Sequence, residues 1–294
     1  MRLLLFLVLL VGIGCAGDTD TAAIDQARTA YQDSPSRETA AALGTTIDDF
    51  IRANPDRVDT NANLLNEKAS AHLDQNQFAE AVQTLFRAQR DFPNADDATA
   101  NAILLVDIYD KKLRNATGAA SVRQAFVEAY PNHPKAQEWA PQFENNPPLP
   151  EKIRILTQQL YGDTTGRVDY KMANEIVQSA EIYALMLPEA EPAPEMLYQA
   201  GQIAGSVRAT NKAIELNERV YTRYPDHRRA SSALFLTAFT YDNELGDVEK
   251  ARPLYEAFIA KYPDSDFAES AQFQLRNLGK SAEEVLRELD QQAQ

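Results

Sequence analysis

Between Glu249 and Lys261, Ala251, Leu254, Tyr255, Phe258 and Ile259 form an apolar set. Their i, i+3, i+4 spacing puts them on one face of a helix. A second apolar stretch, Ala233 to Leu245, precedes them, with Gly246-Asp247 between the two. That dipeptide reads as a turn, because glycine tolerates the left-handed backbone that ends a helix. Pro263 stops the second helix, since it has no N–H to donate and disfavours helix at the residue before it. Ser231–Pro263 is therefore expected to be an antiparallel helix pair, with Ala251 small because the two helices cross closely there.

The same punctuation recurs along the chain. Pro55, Pro93 and Pro131 stand 38 residues apart, as do Pro225 and Pro263. Each is followed by Asp or Asn (Asp56, Asn94, Asn132, Asp226, Asp264). Twelve residues before Pro93, Pro131, Pro225 and Pro263 stands an alanine (Ala81, Ala119, Ala213 and Ala251), and Gly44 stands eleven before Pro55. Columns kept in register at a fixed period are the mark of a helical repeat array. The string Gly246-Asp247-Val248-Glu249-Lys250-Ala251, through Tyr255 to Pro263, resembles the tetratricopeptide repeat (TPR), and Phe78-Ala79-Glu80-Ala81 through Pro93 does so more loosely. The resemblance implies an all-α fold, a TPR-like α-solenoid of antiparallel helix pairs. Two segments are expected, 23–140 and 151–294, with repeats near 194–225 and 231–263 and capping helices to 294. The proline-rich 141–150 reads as an extended connector between them. Further helices are expected at Glu151–Leu160, Tyr170–Leu187, Ala268–Leu278 and Ala282–Gln291, the last opened by a Ser281/Glu284 capping box.

At the start of the chain one positive charge, Arg2, precedes the apolar run Leu3 to Ile13, and small residues follow. That layout is a secretory signal, and the run is well short of the roughly 20 residues a spanning helix needs. Gly12-Ile13-Gly14-Cys15 resembles the bacterial lipobox, whose usual form is Leu, a small residue, Gly or Ala, then Cys. Gly14 and Cys15 match, Gly12 replaces the usual Leu, and Ile13 is bulkier than usual. The resemblance implies a signal peptide at 1–14, cleavage before Cys15, a diacylglycerol on that cysteine, and a short tether at 15–22. It places the protein in the bacterial envelope, lipid-anchored in the membrane. By the sorting rule of enteric lipoproteins, Ala16 points to the outer membrane, with the body facing the periplasm.

Composition narrows the function. Lys and Arg number 29 against 43 Asp and Glu, a net charge of −14, which repels nucleic-acid phosphates. No nucleic-acid partner is expected. One cysteine and three histidines (His72, His133, His227) leave no raw material for a metal centre, and no phosphate-binding glycine motif occurs. No metal, cofactor or catalytic residue is assigned, and the protein is expected not to be an enzyme. The carboxylate pairs Asp48-Asp49, Asp96-Asp97 and Glu283-Glu284 read as helix starts or solvated faces. Glu269-Ser270 resembles the Glu-Ser of lytic transglycosylases, without the downstream motif those enzymes carry.

Binding is what remains. Repeat register puts Asn63, Asn66 and Asn101 on the groove side of their helices, where amides could hold a peptide backbone. The expected function is a membrane-anchored, non-catalytic adaptor for other envelope proteins. Repeat proteins of the β-barrel assembly machine and of the Tol-Pal system are similar in layout. The alternatives are a glycan- or peptide-binding surface lipoprotein, disfavoured by a single tryptophan, Trp139, and a transglycosylase-like enzyme.

Overall fold

The structure is a computed structural model that describes residues 21–162 and 169–292. Cys15, the signal segment and the loop 163–168 lie outside the described residues. All regular structure among the described residues is helical. The chain divides into two compact units between Asn101 and Ala102.

The first unit holds α1 (Ala22–Asp33), α2 (Arg37–Ala53), α3 (Val58–Asp74), α4 (Phe78–Asp91) and the start of α5 (Ala98–Asp107). Ser36 opens α2 with a capping box: Thr39 N donates to Ser36 Oγ, and Ser36 N donates to Thr39 Oγ1, at 3.2 and 3.0 Å. These bonds satisfy donors that the first turn cannot. Ile24 of α1, Leu43, Ile47 and Phe50 of α2, and Leu65 of α3 form one buried cluster. Asp48 is a difference from expectation. It lies mid-helix in α2, not on a solvated face, and accepts from Lys68 Nζ at 2.7 Å and from Arg87 Nη1. One carboxylate thus ties α2 to α3 and α4.

The second unit continues through a π turn (Ile108–Lys112), α6 (Ala116–Ala129), α7 (Pro134–Trp139), α8 (Leu149–Gly162), α9 (Tyr170–Met186), α10 (Ala193–Ser206) and α11 (Thr210–Arg223). It ends with α12 (Ala230–Phe239), a second π turn (Thr240–Glu244), α13 (Val248–Lys261), α14 (Ala268–Asn277) and α15 (Ala282–Gln292). From α8 to α14 each helix packs on its neighbour in the chain, as a solenoid requires. The residues before the helix-stopping prolines share one backbone: Asn54, Phe92, Tyr130, Leu187, Tyr224 and Tyr262 all have φ between −123° and −133° and ψ between 55° and 59°. Tyrosine in this position also stitches repeats together. Tyr224 Oη donates to the Pro188 carbonyl at 2.8 Å, and Tyr262 Oη to that of Pro225 at 3.1 Å.

Three boundaries differ from the sequence reading. The helix expected over Ala233–Leu245 ends as α12 at Phe239 and widens into the π turn, where Leu245 N donates to Thr240 O. Gly246, at φ +64°, then makes the turn, and Asp247 caps α13 by accepting from Lys250 N. The expected connector is not the division between units. Leu149 and Pro150 belong to the first turn of α8, where proline is tolerated because its missing N–H would have no helical partner. Leu149 is fully buried and Gln124 Nε2 donates to the Pro147 carbonyl, which fastens the stretch to α6. The C-terminal capping box is present: Ser281 N donates to Glu284 Oε2 at 2.7 Å and Glu284 N to Ser281 Oγ at 3.3 Å.

Across the broken period the same order of elements recurs at a fixed offset. The element starts Phe78 and Thr210, Ala98 and Ala230, Ile108 and Thr240, and Ala116 and Val248 stand 132 residues apart in every case. Tyr109-Asp110 matches Tyr241-Asp242 at that offset, and Phe126, Tyr130 and Pro131 match Phe258, Tyr262 and Pro263.

Gly201 marks a close approach of α10 to α11. A Cβ there would lie 2.8 Å from Oδ1 of the buried Asn217. Gly201→Ala is expected to lower stability by about 1–2 kcal/mol, the overpacking outweighing the ~1 kcal/mol that alanine gains in a helix. In an Asn217→Ala background the same change should become neutral or stabilising. A double-mutant cycle by urea unfolding measures this, and equal costs in both backgrounds would refute the contact.

Candidate partner-binding groove

An opening in the second unit lies between α8, the N-terminus of α10, and the loop that joins α11 to α12. Its volume is about 850 Å³. Three local features build it. Leu149 and Ile153, fully buried, anchor α8 so that Glu151 and Arg154 face outward. Pro192 and Pro194 start α10 and present Glu195, Met196 and Gln199. Tyr224, held by the Pro188 carbonyl, sets the turn that carries Asp226, His227 and Arg228. Pro148, Pro150, Pro192 and Met196 supply the apolar part of the lining.

Ion pairs order the walls. Arg154 forks onto Glu151 with Nε and Nη2 at 2.7 and 2.6 Å. Glu195, whose side chain is 16% exposed, accepts from Arg228 Nη2 at 2.9 Å, from Arg229 Nε at 3.2 Å and from Gln199 Nε2 at 3.3 Å. Arg229 also stacks on the Tyr198 ring at 4.9 Å. Burial alone would raise the Glu195 carboxyl, but the hydrogen bonds from Arg229 and Arg228 outweigh it and hold it below the ordinary glutamate value. Its contribution to stability is therefore complete above that value and is lost as acid titrates the folded carboxylate. His227 Nδ1 accepts from Arg229 N at 3.3 Å, and His133 Nδ1 makes the equivalent bond with Lys135 N at 3.1 Å. Both histidines are turn-forming groups that follow a Tyr-Pro pair.

The residues singled out from repeat register are distributed differently. Asn63 is exposed on α3. Asn66, one turn on, is half-buried, and its Nδ2 donates to Asp97 Oδ2 at 3.2 Å. Asn101 is buried at 5% exposure and so is not offered to a ligand as an open surface group. The three belong to the first unit, and the residues that line the groove belong to the second. Trp139 is buried and packs edge-on against Phe126, with centroids 5.4 Å apart. Glu269 is exposed on the first turn of α14, beside Phe273. The groove itself escaped the sequence reading. Its one linear signal is the proline pair Pro192/Pro194 with an acid beside it, one repeat before Tyr224-Pro225-Asp226.

Comparison with known proteins agrees with the C-terminal repeat. The tetratricopeptide repeat family matches residues 232–265, the stretch that folds as α12, the second π turn and α13. No curated protein matches the chain. Among solved structures it is similar to the TPR2AB domain of yeast Sti1 in its complex with pHSP90, with 13% sequence identity and a TM-score of 0.32. That match covers 87% of this chain and 95% of the other. The chain is thus an all-helical repeat protein that carries a tetratricopeptide repeat near its C-terminal end.

Proposed function

We propose that this protein is a non-catalytic docking scaffold of the bacterial envelope, anchored through a lipid on Cys15 and binding partner proteins through its repeats. The observation that carries the binding half is the open groove of about 850 Å³ in a stack of helix pairs, walled by arginines and carboxylates already engaged with one another. Such walls hold a shape for a ligand without poising an acid or a nucleophile. The anchoring half rests on the sequence around Cys15. The partners proposed are proteins of outer-membrane assembly or envelope maintenance. The burial of Trp139 weighs against the glycan-capture alternative, which needs exposed aromatic surface.

Crosslinking in the native envelope, followed by identification of the captured proteins, tests the scaffold. Recovery of specific protein partners supports it, and capture of glycan alone would sink it. The anchor has its own test. Cys15→Ser is expected to abolish metabolic lipid labelling and to release the protein from membranes, because the remaining apolar run is removed or too short to span. A serine variant that stays membrane-bound with its leader uncleaved would overturn the lipoprotein reading.

A further inference from the structure

The groove between α8 and α10 has a charge preference that its ion pairs create. Four acids line it, Glu151, Glu191, Glu195 and Asp226, against two arginines. Both arginines are committed, Arg154 to Glu151 and Arg228 to Glu195. Glu195 is saturated by its three donors. Glu191 and Asp226 remain. Each is exposed in a loop at the rim, and neither has an ion-pair partner among the described residues. The background charge of −14 reinforces them.

We infer that this groove binds an extended, basic segment of a partner protein. An apolar or proline residue of that segment would sit on the Pro150, Pro192 and Met196 surface, with lysine or arginine side chains reaching Glu191 and Asp226. An acidic segment is disfavoured twice. It meets the two rim carboxylates, and it finds both arginines occupied by acids whose fixed geometry would have to be broken. A long-stemmed cation suits this arrangement, because its methylenes cover apolar surface while its charge stays at the wet rim. The inference rests on the scaffold reading and names the chemistry of its partner.

The test uses the full chain and two labelled ten-residue probes, one alternating lysine with proline and leucine, the other carrying glutamate in place of lysine. Fluorescence anisotropy should show binding of the lysine probe and none of the glutamate probe. Glu191→Lys with Asp226→Lys is expected to weaken binding by about 10-fold, since each exposed attraction becomes a repulsion of similar size. Raising the salt should weaken it as well. Glu249→Lys with Glu256→Lys, on the exposed face of α13, makes the same change in net charge away from the groove and should leave binding within about 2-fold. An equal loss in both variants would mean attraction to overall charge and would overturn the inference. So would preference for the glutamate probe, or no binding of either. These outcomes leave the scaffold reading to the envelope crosslinking, so the two can fail separately.

Discussion

Phe258→Ala is expected to remove about 3–5 kcal/mol of stability, the usual cost of deleting a fully buried aromatic ring. The Phe258 side chain, on α13, is 0% exposed. Its ring meets Phe235 of α12 at 5.8 Å and Tyr262 at 5.7 Å, and Phe235 in turn stacks on Phe267 at 4.8 Å. Phe258 therefore sits where α12, α13 and the start of α14 converge, and its loss opens a cavity that none of them can close alone. A domain of ordinary stability has only about 5–15 kcal/mol in total. In a stack held by nearest-neighbour interfaces, the damage should stay local. Hydrogen exchange is expected to show lost protection across α12 to α14 and near-unchanged protection in α2 and α3. Phe273→Ala, at a position 37% exposed, should cost less than about 1 kcal/mol in urea unfolding. Equal losses at the two positions would contradict the packing described here.

Glu181→Ala is expected to have the second-largest effect, about 2–4 kcal/mol. The carboxylate, on α9, is 7% exposed and accepts from Lys212 Nζ at 3.3 Å and from Arg219 Nη1 at 3.2 Å, both on α11. Truncation strands two cations beside a buried face. Removal of one member of a buried pair costs about 3–5 kcal/mol. The figure here is lower because Lys212 is partly exposed and keeps Glu215 at 2.7 Å. Glu181→Gln retains an oxygen acceptor and should cost less than the alanine change. Urea midpoints for the two variants check this. A glutamine variant as destabilised as the alanine one would shift the explanation from acceptor loss to loss of charge.

Much of the fold was legible before any coordinates. The prolines and the alanine twelve before four of them marked α4, α6, α11 and α13, and the i, i+3, i+4 apolar face gave the buried side of α13. The Ser281/Glu284 capping box that opens α15 was legible as well. All of these signals act within a turn or two of the chain, where sequence distance and spatial distance are nearly the same. The candidate site was poorly legible. Repeat register put Asn63, Asn66 and Asn101 on the groove side, yet one is exposed, one bonds Asp97 and one is buried. Register says which way a residue faces on its own helix. It does not say whether another helix covers that face.

The sequence by itself determined the class of element and its punctuation: helix pairs closed by proline, a last helix opened by Ser281, and a turn at Gly246. These follow from backbone sterics and from local hydrogen bonds that each segment can satisfy alone. The tertiary structure decided everything that depends on partners distant in the chain. It divided the chain at Asn101/Ala102 instead of the proline-rich stretch, because Leu149 and Gln124 bind that stretch into the second unit. It turned Asp48 from a surface acid into a clamp on residues 20 and 39 positions away. It paired Arg228 with Glu195, 33 residues away, and left Glu191 and Asp226 facing solvent. The physical reason is common to all three. A charge or an apolar side chain acquires its role from what desolvates it or pairs with it, and in a stacked repeat that neighbour stands on another helix, 20 to 39 residues away in these cases.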